Sequence, residues 1–293
     1  MPQARTGKLI KPDLHMHSQA SDGAYQPAEL AKKVAQAGVN LFALTDHETM
    51  LGLNEAQKAS EELGLQFIPG VEINTAGHDE VHILFYYVHE GMDALVSQLR
   101  LMNEGRETRG FKIIERLNSL GIPITMNDLD IPPGVFCNRP HVAHALVRMG
   151  AVSSLKEAFD RFLGIGKPAY VERTRIETLD AIALAREIGA VPVLAHPELI
   201  RKPELKSEEA IKKMADAGLM GIEAYHSKHD ASSCRKWDQA ARSLGLMVTG
   251  GSDFHRPSDE HGPIGCILNK WMTSHEDATA LLEKRPDQLK DRA

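Results

Sequence analysis

Through residues 9–88 the chain repeats one hydrophobic unit: a short apolar run, a turn, then a stretch with apolar positions at helical spacing. Residues 9–10 lead toward His15, the spacing predicts a helix over about 27–37, and 40–44 reads as the next strand. A second helix over 53–63 is closed by Gly64, residues 65–68 lead to Glu72, and 81–88 reads as a further strand. Such alternation of strand and helix is the signature of a parallel sheet or barrel, because each helix returns the chain to begin the next strand. From about 92 to 170 the pattern changes to helical periodicity through Leu120, a Pro/Gly-rich segment at 131–134, and helices near 140–149 and 154–163, with no strand. We read 92–170 as a helical insertion over the active-site mouth of a barrel built from 1–91 and 171–293, a position suited to substrate selection. Alternation resumes with a helix at 179–188, a strand at 191–194, a helix near 208–217 and a strand at 221–224. A helix through Arg242, a strand at 246–249 and a terminal helix near 276–284 follow, and from Arg285 the chain is polar enough to fray.

Polar clusters stand where these strands run out. They read Asp13-Leu14-His15-Met16-His17-Ser18, Ser21-Asp22-Gly23, Thr45-Asp46-His47, Pro69-Gly70-Val71-Glu72, Val81-His82, Ala195-His196-Pro197 and Gly251-Ser252-Asp253-Phe254-His255. The C-terminal ends of strands are where barrel enzymes gather catalytic groups, and only His82, near the start of its strand, breaks the rule. Imidazole and carboxylate are the ligands borderline divalent metals take, so nine such side chains converging on one pocket would form a multinuclear site. Residues two apart in a strand share a face, so His15 and His17 can clamp one ion. The same period relates Asp253 and His255, although a bend at Gly251 would splay them toward different ions. Glu72 is the best bridging candidate, and the φ freedom of Gly70 is expected to bring its backbone close to the site. Asp22 precedes a turn glycine and also suits a capping role, while Asp46 should sit behind the ligands.

Composition narrows the partners. A chain of 293 residues can bury its own core without metals, and its net charge of −6 argues against gripping long duplex nucleic acid through a basic face. A small phosphorylated ligand stays open. Cys137, Cys234 and Cys266 are odd in number and contain no close pair, so neither a disulfide framework nor a thiolate zinc site is indicated, which fits a cytoplasmic location. No apolar run approaches the roughly 20 residues of a membrane span, and residues 1–11 lack a secretory pattern, so the expected protein is cytoplasmic and unattached to membranes. Nothing in the pattern sets the oligomeric state.

The ordered set DLHMHS, SDG, TDH, PGVE, VH, AHP and GSDFH resembles the PHP family, named for its polymerase and histidinol phosphatase members. The resemblance spans Asp13 to His255 and implies a distorted (β/α)7 barrel, phosphoester hydrolysis, and two or three divalent ions, manganese foremost with zinc or iron as alternatives. Carried over residue by residue, it implies that His15, His17, Glu72 and Asp253 hold one ion, that Asp22, His47 and His255 hold a second, and that Glu72, His82 and His196 hold a third. Asp253, His255 and His196 are the candidates for catalytic roles beyond ligation, with Asp253 or a histidine facing the leaving oxygen as general acid. Ser18 and Ser252 read as turn residues, not nucleophiles.

In the insertion, Arg106, Arg109 and Arg116 lie on one predicted helix, and Asn138-Arg139-Pro140-His141 stands where another begins. Guanidinium groups and helix N-termini both bind phosphate, so Arg106, Arg109, Asn138, Arg139 and His141 are the substrate-binding candidates; a solvated charged face is the competing reading for the first two. His144 reads as helix packing, and His226 has no place in the nine-ligand pattern. The short lead to DLHMHS, the NRPHVA segment and the GSDFH ending resemble the stand-alone branch of the family. That resemblance implies removal of the 3′-phosphate from nucleoside 3′,5′-bisphosphates, with 5′-to-3′ exonuclease action on short RNA as an alternative. Histidinol-phosphate phosphatase is a further alternative, for which an acidic lid would be expected, and a non-catalytic metal-binding module is the reading from another class.

Overall fold

The computed structural model describes residues 9–76, 81–131, 137–257 and 262–284; most of the Pro/Gly-rich segment and the tail from Arg285 lie outside the described residues. The chain divides into two compact units, residues 1–96 with 176–293 and residues 97–175.

In the first unit seven strands stand side by side in chain order: β1 (Pro12–Asp13), β2 (Leu41–Leu44), β3 (Gln66–Asn74), β4 (His82–Tyr86), β5 (Val191–Leu194), β6 (Gly221–His226) and β7 (Met247–Gly251). Every residue of β2 and β5 is buried, the continuous apolar run of a sheet covered on both faces. The ends of the sheet meet: Leu14 N–H donates to Gly250 O at 3.0 Å, Asp253 N–H to His15 O at 2.9 Å and His17 N–H to Phe254 O at 2.9 Å. The result is a nearly closed barrel. Helices α1 (Pro27–Gln36) and α2 (Leu53–Leu63) connect the first strands, and α2 stops at Gly64, whose φ of 66° is the left-handed cap that glycine favours.

The expected strand–helix alternation holds except at β4, which pairs antiparallel with both β3 and β5 while the remaining neighbours are parallel. The β3–β4 connection spans only 75–81, too short for the dozen or more residues of a parallel crossover. Reversal of β4 puts its first residue, His82, opposite Asn74 at the same rim as the C-terminal ends of the parallel strands. The apparent exception in the sequence pattern follows from this geometry.

The second unit contains most of α3 (Asp93–Ser119), then α4 (Arg139–Arg148) and α5 (Leu155–Ala158), which continues as a π-helical turn at Phe159–Leu163. Its own apolar core includes Ile113, Leu117, Ile124, Val142, Leu146 and Leu163. The chain then returns to the barrel through α6 (Thr178–Glu187), α7 (Glu208–Asp216), α8 (Ala231–Ser243) and α9 (Ser274–Glu283). No described helix is long and apolar enough to cross a membrane.

Candidate metal centre

The barrel topology gathers all nine sequence-selected side chains into three overlapping groups whose ligand atoms lie within 4.8 Å of one another. His15, His17, Glu72 and Asp253 form one, His17, Asp22, His47 and His255 another, and Glu72, His82 and His196 the third. Glu72 divides its oxygens between groups. Oε2 lies 3.1 Å from His15 Nε2, 3.2 Å from His17 Nε2 and 3.2 Å from His47 Nδ1, whereas Oε1 lies 2.6 Å from His82 Nδ1 and 3.1 Å from His196 Nε2. Asp253 Oδ1 stands 3.3 Å from His15 Nε2 and 3.1 Å from His17 Nε2. Asp253 and His255 do part toward different groups, because Asp253 adopts φ 54° and leaves the extended period. Asp22, in an exposed turn, closes the outer group at 3.4 Å from His255 Nε2 and 3.8 Å from His47 Nε2.

Several of these atoms fit ions better than one another. Both ring nitrogens of His17, Nδ1 of His47 and Nδ1 of His196 are buried without a hydrogen-bond partner among the described residues. Buried polar atoms are ordinarily satisfied, and His17 Nε2 and His47 Nδ1, which face carboxylate oxygens without hydrogen-bond alignment, suit ligands arranged around a shared centre. The charge balance agrees. Burial works against the charge on Glu72 and Asp253, yet the surrounding imidazoles hold both well below the usual carboxylate range. Burial likewise opposes protonation of His15 and His17, but the carboxylates raise His15 well above the ordinary imidazole value and His17 to about 10. The two buried carboxylates thus demand positive charge, which divalent ions supply on displacing protons.

Backbone strain concentrates here as well. Among the described non-glycine residues, positive φ occurs at Glu48 directly after His47, at His196 and at Asp253, with Tyr87 the one instance elsewhere. Such conformations persist where surrounding structure over-determines them. Gly70 has no positive φ, and what it provides is close approach: a Cβ there would come within 2.9 Å of Thr45 Cγ2 and 3.1 Å of Leu44 O. Its role is close strand packing.

Supporting residues lie behind the ligands. Asp46 accepts hydrogen bonds from Ser18 N–H at 2.7 Å, Ser18 Oγ at 2.6 Å and Ser21 Oγ at 2.6 Å, which orders the turn carrying Asp22. The buried Asp13 carboxylate accepts from Ser252 N–H at 2.8 Å and Gly265 N–H at 2.7 Å, and burial lifts its pKa to about 6. Two fully buried residues on β6 also reach the site: Glu223, which the sequence reading omitted, and His226, which it left outside the nine-ligand pattern. Glu223 meets His15 Nδ1 at 3.1 Å and accepts the His196 backbone N–H at 2.8 Å, and His226 Nε2 lies 3.4 Å from Asp253 Oδ2. A register shift between Glu223 and Tyr225 turns His226 inward, three residues after another inward side chain. For Glu223 the one sequence signal was a charged residue within an otherwise apolar strand.

The substrate-binding candidates fare differently. Asn138 and His141 form a reciprocal cap on α4: Asn138 Oδ1 accepts the His141 N–H at 3.1 Å, and His141 Nδ1 accepts the Asn138 N–H at 3.2 Å. Arg106 is half-buried, and Arg116 donates to Tyr170 O. Arg109 is buried and donates to Val171 O at 2.8 Å; burial, then neighbouring Arg139 and Arg173, depress its pKa to about 10. Arg139 lies over the Phe159 and Tyr170 rings. Arg109, Arg139 and Arg173 therefore form a basic cluster, of which the sequence reading omitted Arg173. His144 is exposed on α4, not packed in its core, because Val142, Ala143, Ala145 and Leu146 form the buried face.

Known proteins resemble this chain in sequence and fold. The profile of the PHP domain matches residues 13–175. The chain is 33% identical over 258 residues to a 3′,5′-nucleoside bisphosphate phosphatase of Chromobacterium violaceum, covering 86% of this chain and 90% of that one. It is 34% identical over 254 residues to a 5′-3′ exoribonuclease of Haemophilus influenzae, covering 84% and 90%. A solved structure from Bifidobacterium adolescentis, assigned to the metal-dependent phosphoesterases, superposes with a TM-score of 0.76 at 29% identity across 99% of this chain and all of that one.

Proposed function

The chain belongs to the PHP family, and from that premise we propose that it is a metal-dependent phosphoric monoester hydrolase releasing the 3′-phosphate of nucleoside 3′,5′-bisphosphates. The observation that carries this reading is the division of Glu72 between two candidate ligand groups, which offers a single buried carboxylate to more than one ion. His15, His17, Glu72 and Asp253 would hold one ion, Asp22, His47 and His255 a second, and Glu72, His82 and His196 a third. Manganese is the proposed metal. Bound divalent ions lower the pKa of water toward neutrality and offset the charge of phosphoryl oxygens. Around them the chain supplies orientation. Glu72 and Asp253 are buried and strongly acidic, so they remain ionised and fix the imidazoles that face them. His196, His255 and Asp253 are the groups proposed to handle protons; a histidine facing the leaving oxygen would deliver one, or Asp253 would after first taking one from the attacking water.

Substrate choice rests on the helical unit. Arg109, Arg139 and Arg173 concentrate positive charge at buried or half-buried positions, which suits a second phosphate separate from the one hydrolysed. A basic cluster favours a bisphosphate over histidinol phosphate, whose cationic amine it would repel. The reading requires the insertion to present this cluster to a substrate held by the barrel. Short RNA is the second reading, favoured by the 34% identity to the Haemophilus influenzae exoribonuclease. A cytoplasmic location is part of the same proposal.

Phosphate release from adenosine 3′,5′-bisphosphate, adenosine 3′-monophosphate, histidinol phosphate and a short 5′-phosphorylated RNA, each with Mn2+, tests the assignment. The bisphosphate should exceed the 3′-mononucleotide in kcat/KM by on the order of 2–4 kcal/mol, the cost of leaving a charged site unpaired. Equal rates for those two, or preference for histidinol phosphate, would reject the two-phosphate reading, and preference for the oligonucleotide would establish the second.

A further inference from the structure

We infer that Glu223 is a positioning residue that couples two of the three ligand groups, holding His15 and His196 together so that the ions of both groups are bound interdependently. The inference rests on the multinuclear metal reading and goes beyond it, because Glu223 belongs to none of the three groups.

The argument begins with what a buried carboxylate can do. Glu223 is fully buried on β6 and, when ionised, only accepts hydrogen bonds. Its Oε1 and Oε2 lie 3.1 and 3.2 Å from His15 Nδ1, so that nitrogen must carry the hydrogen. The tautomer leaves His15 Nε2 as the ligand atom, 3.1 Å from Glu72 Oε2 and 3.3 Å from Asp253 Oδ1. The same Oε2 accepts the His196 backbone N–H at 2.8 Å. His196 has φ 27° and ψ 56°, a conformation a non-glycine residue adopts only when held, and its ring Nε2 faces Glu72 Oε1 in the other group at 3.1 Å. One carboxylate therefore sets a ring tautomer in one group and a strained backbone in another.

Gly251 supports the same reading independently. A Cβ at that position would stand 2.2 Å from His15 Cβ and 2.8 Å from Glu223 Oε1, so the approach of the two residues depends on its missing side chain. Glu72 connects the two groups by facing ring nitrogens of both; Glu223 connects them through the other ring nitrogen of His15 and the backbone N–H of His196.

Glu223→Gln tests the coupling, because a glutamine of the same shape presents one amide N–H2 where both native partners need acceptors. Equilibrium dialysis of metal-stripped protein against Mn2+, with elemental analysis, is read alongside kcat and KM. Wild type should take up three ions. In E223Q two of them should weaken together by about 10- to 100-fold while the ion of Asp22, His47 and His255 remains, and kcat should fall more than KM rises. His82→Ala, which removes a ligand of one group only, should weaken one ion. Should E223Q fail to fold, Glu223→Asp keeps the charge while drawing the oxygens back, and it should again weaken two ions in parallel. Wild-type Mn2+ binding in either Glu223 variant, or weakening of a single ion as in H82A, overturns the coupling while leaving the metal reading intact. A wild type that binds one ion or none overturns both.

Discussion

At the barrel rim, His17, His47 and His196 bury ring nitrogens without hydrogen-bond partners among the described residues, whereas in the helical unit Asn138 and His141 satisfy each other across the first turn of α4. Both sets were selected from sequence by the same logic, polar side chains at the end of an element. The difference lies in what each element end needs. A strand inside a sheet has its backbone groups paired by its neighbours, so side chains at its end are released for other chemistry. A helix begins with unpaired N–H groups, and polar side chains there are recruited to cap them first. Position at an element's end is thus a stronger indicator of chemistry in the barrel than in the insertion.

Asp253→Asn should break the comparison most forcefully on the barrel side. Removing a buried charge that faces His15 and His17 should lower kcat by on the order of 1000-fold, with the circular dichroism spectrum unchanged. Retention of wild-type turnover would show that the rim is not the site of chemistry.

Arg139→Ala sharpens the other side. Loss of one charged phosphate contact should raise KM for the bisphosphate roughly 10- to 100-fold and leave kcat and metal content unchanged. The effect should vanish with a 3′-mononucleotide. A fall in kcat equal to that of Asp253→Asn would contradict the division of labour between the units.

The smallest effect is expected at Asn138→Ala. Losing this cap should cost about 1 kcal/mol of stability, measured by denaturant unfolding, with KM unaltered. A rise in KM matching that of Arg139→Ala would return Asn138 to the substrate-binding set.

The sequence pattern made the barrel largely legible, because short buried strands and amphipathic helices announce themselves by period; α2 and β5 fall at the expected residues. It did not reveal the direction of β4, since an apolar run reads the same either way, although the short 75–81 connection carried that information. The clusters from Asp13 to His255 marked the rim because the candidate ligands, apart from Asp22 in its exposed turn, sit near strand ends. Glu223 was missed and His226 set aside for a physical reason: they act from inside β6, one through a ring and a backbone N–H far away in sequence, the other through a bulge that only the sheet register shows. Arg173 was missed because its partners come from α3 and the start of α4, a convergence that helical spacing within one segment cannot express.

The central claim is that the rim is a multinuclear metal site, and counting ions tests it most directly. Elemental analysis of fully active protein should give at least two divalent ions per chain, and exhaustive chelation should abolish phosphate release while the folded barrel persists on its own apolar core. One ion or none in fully active protein would contradict the account.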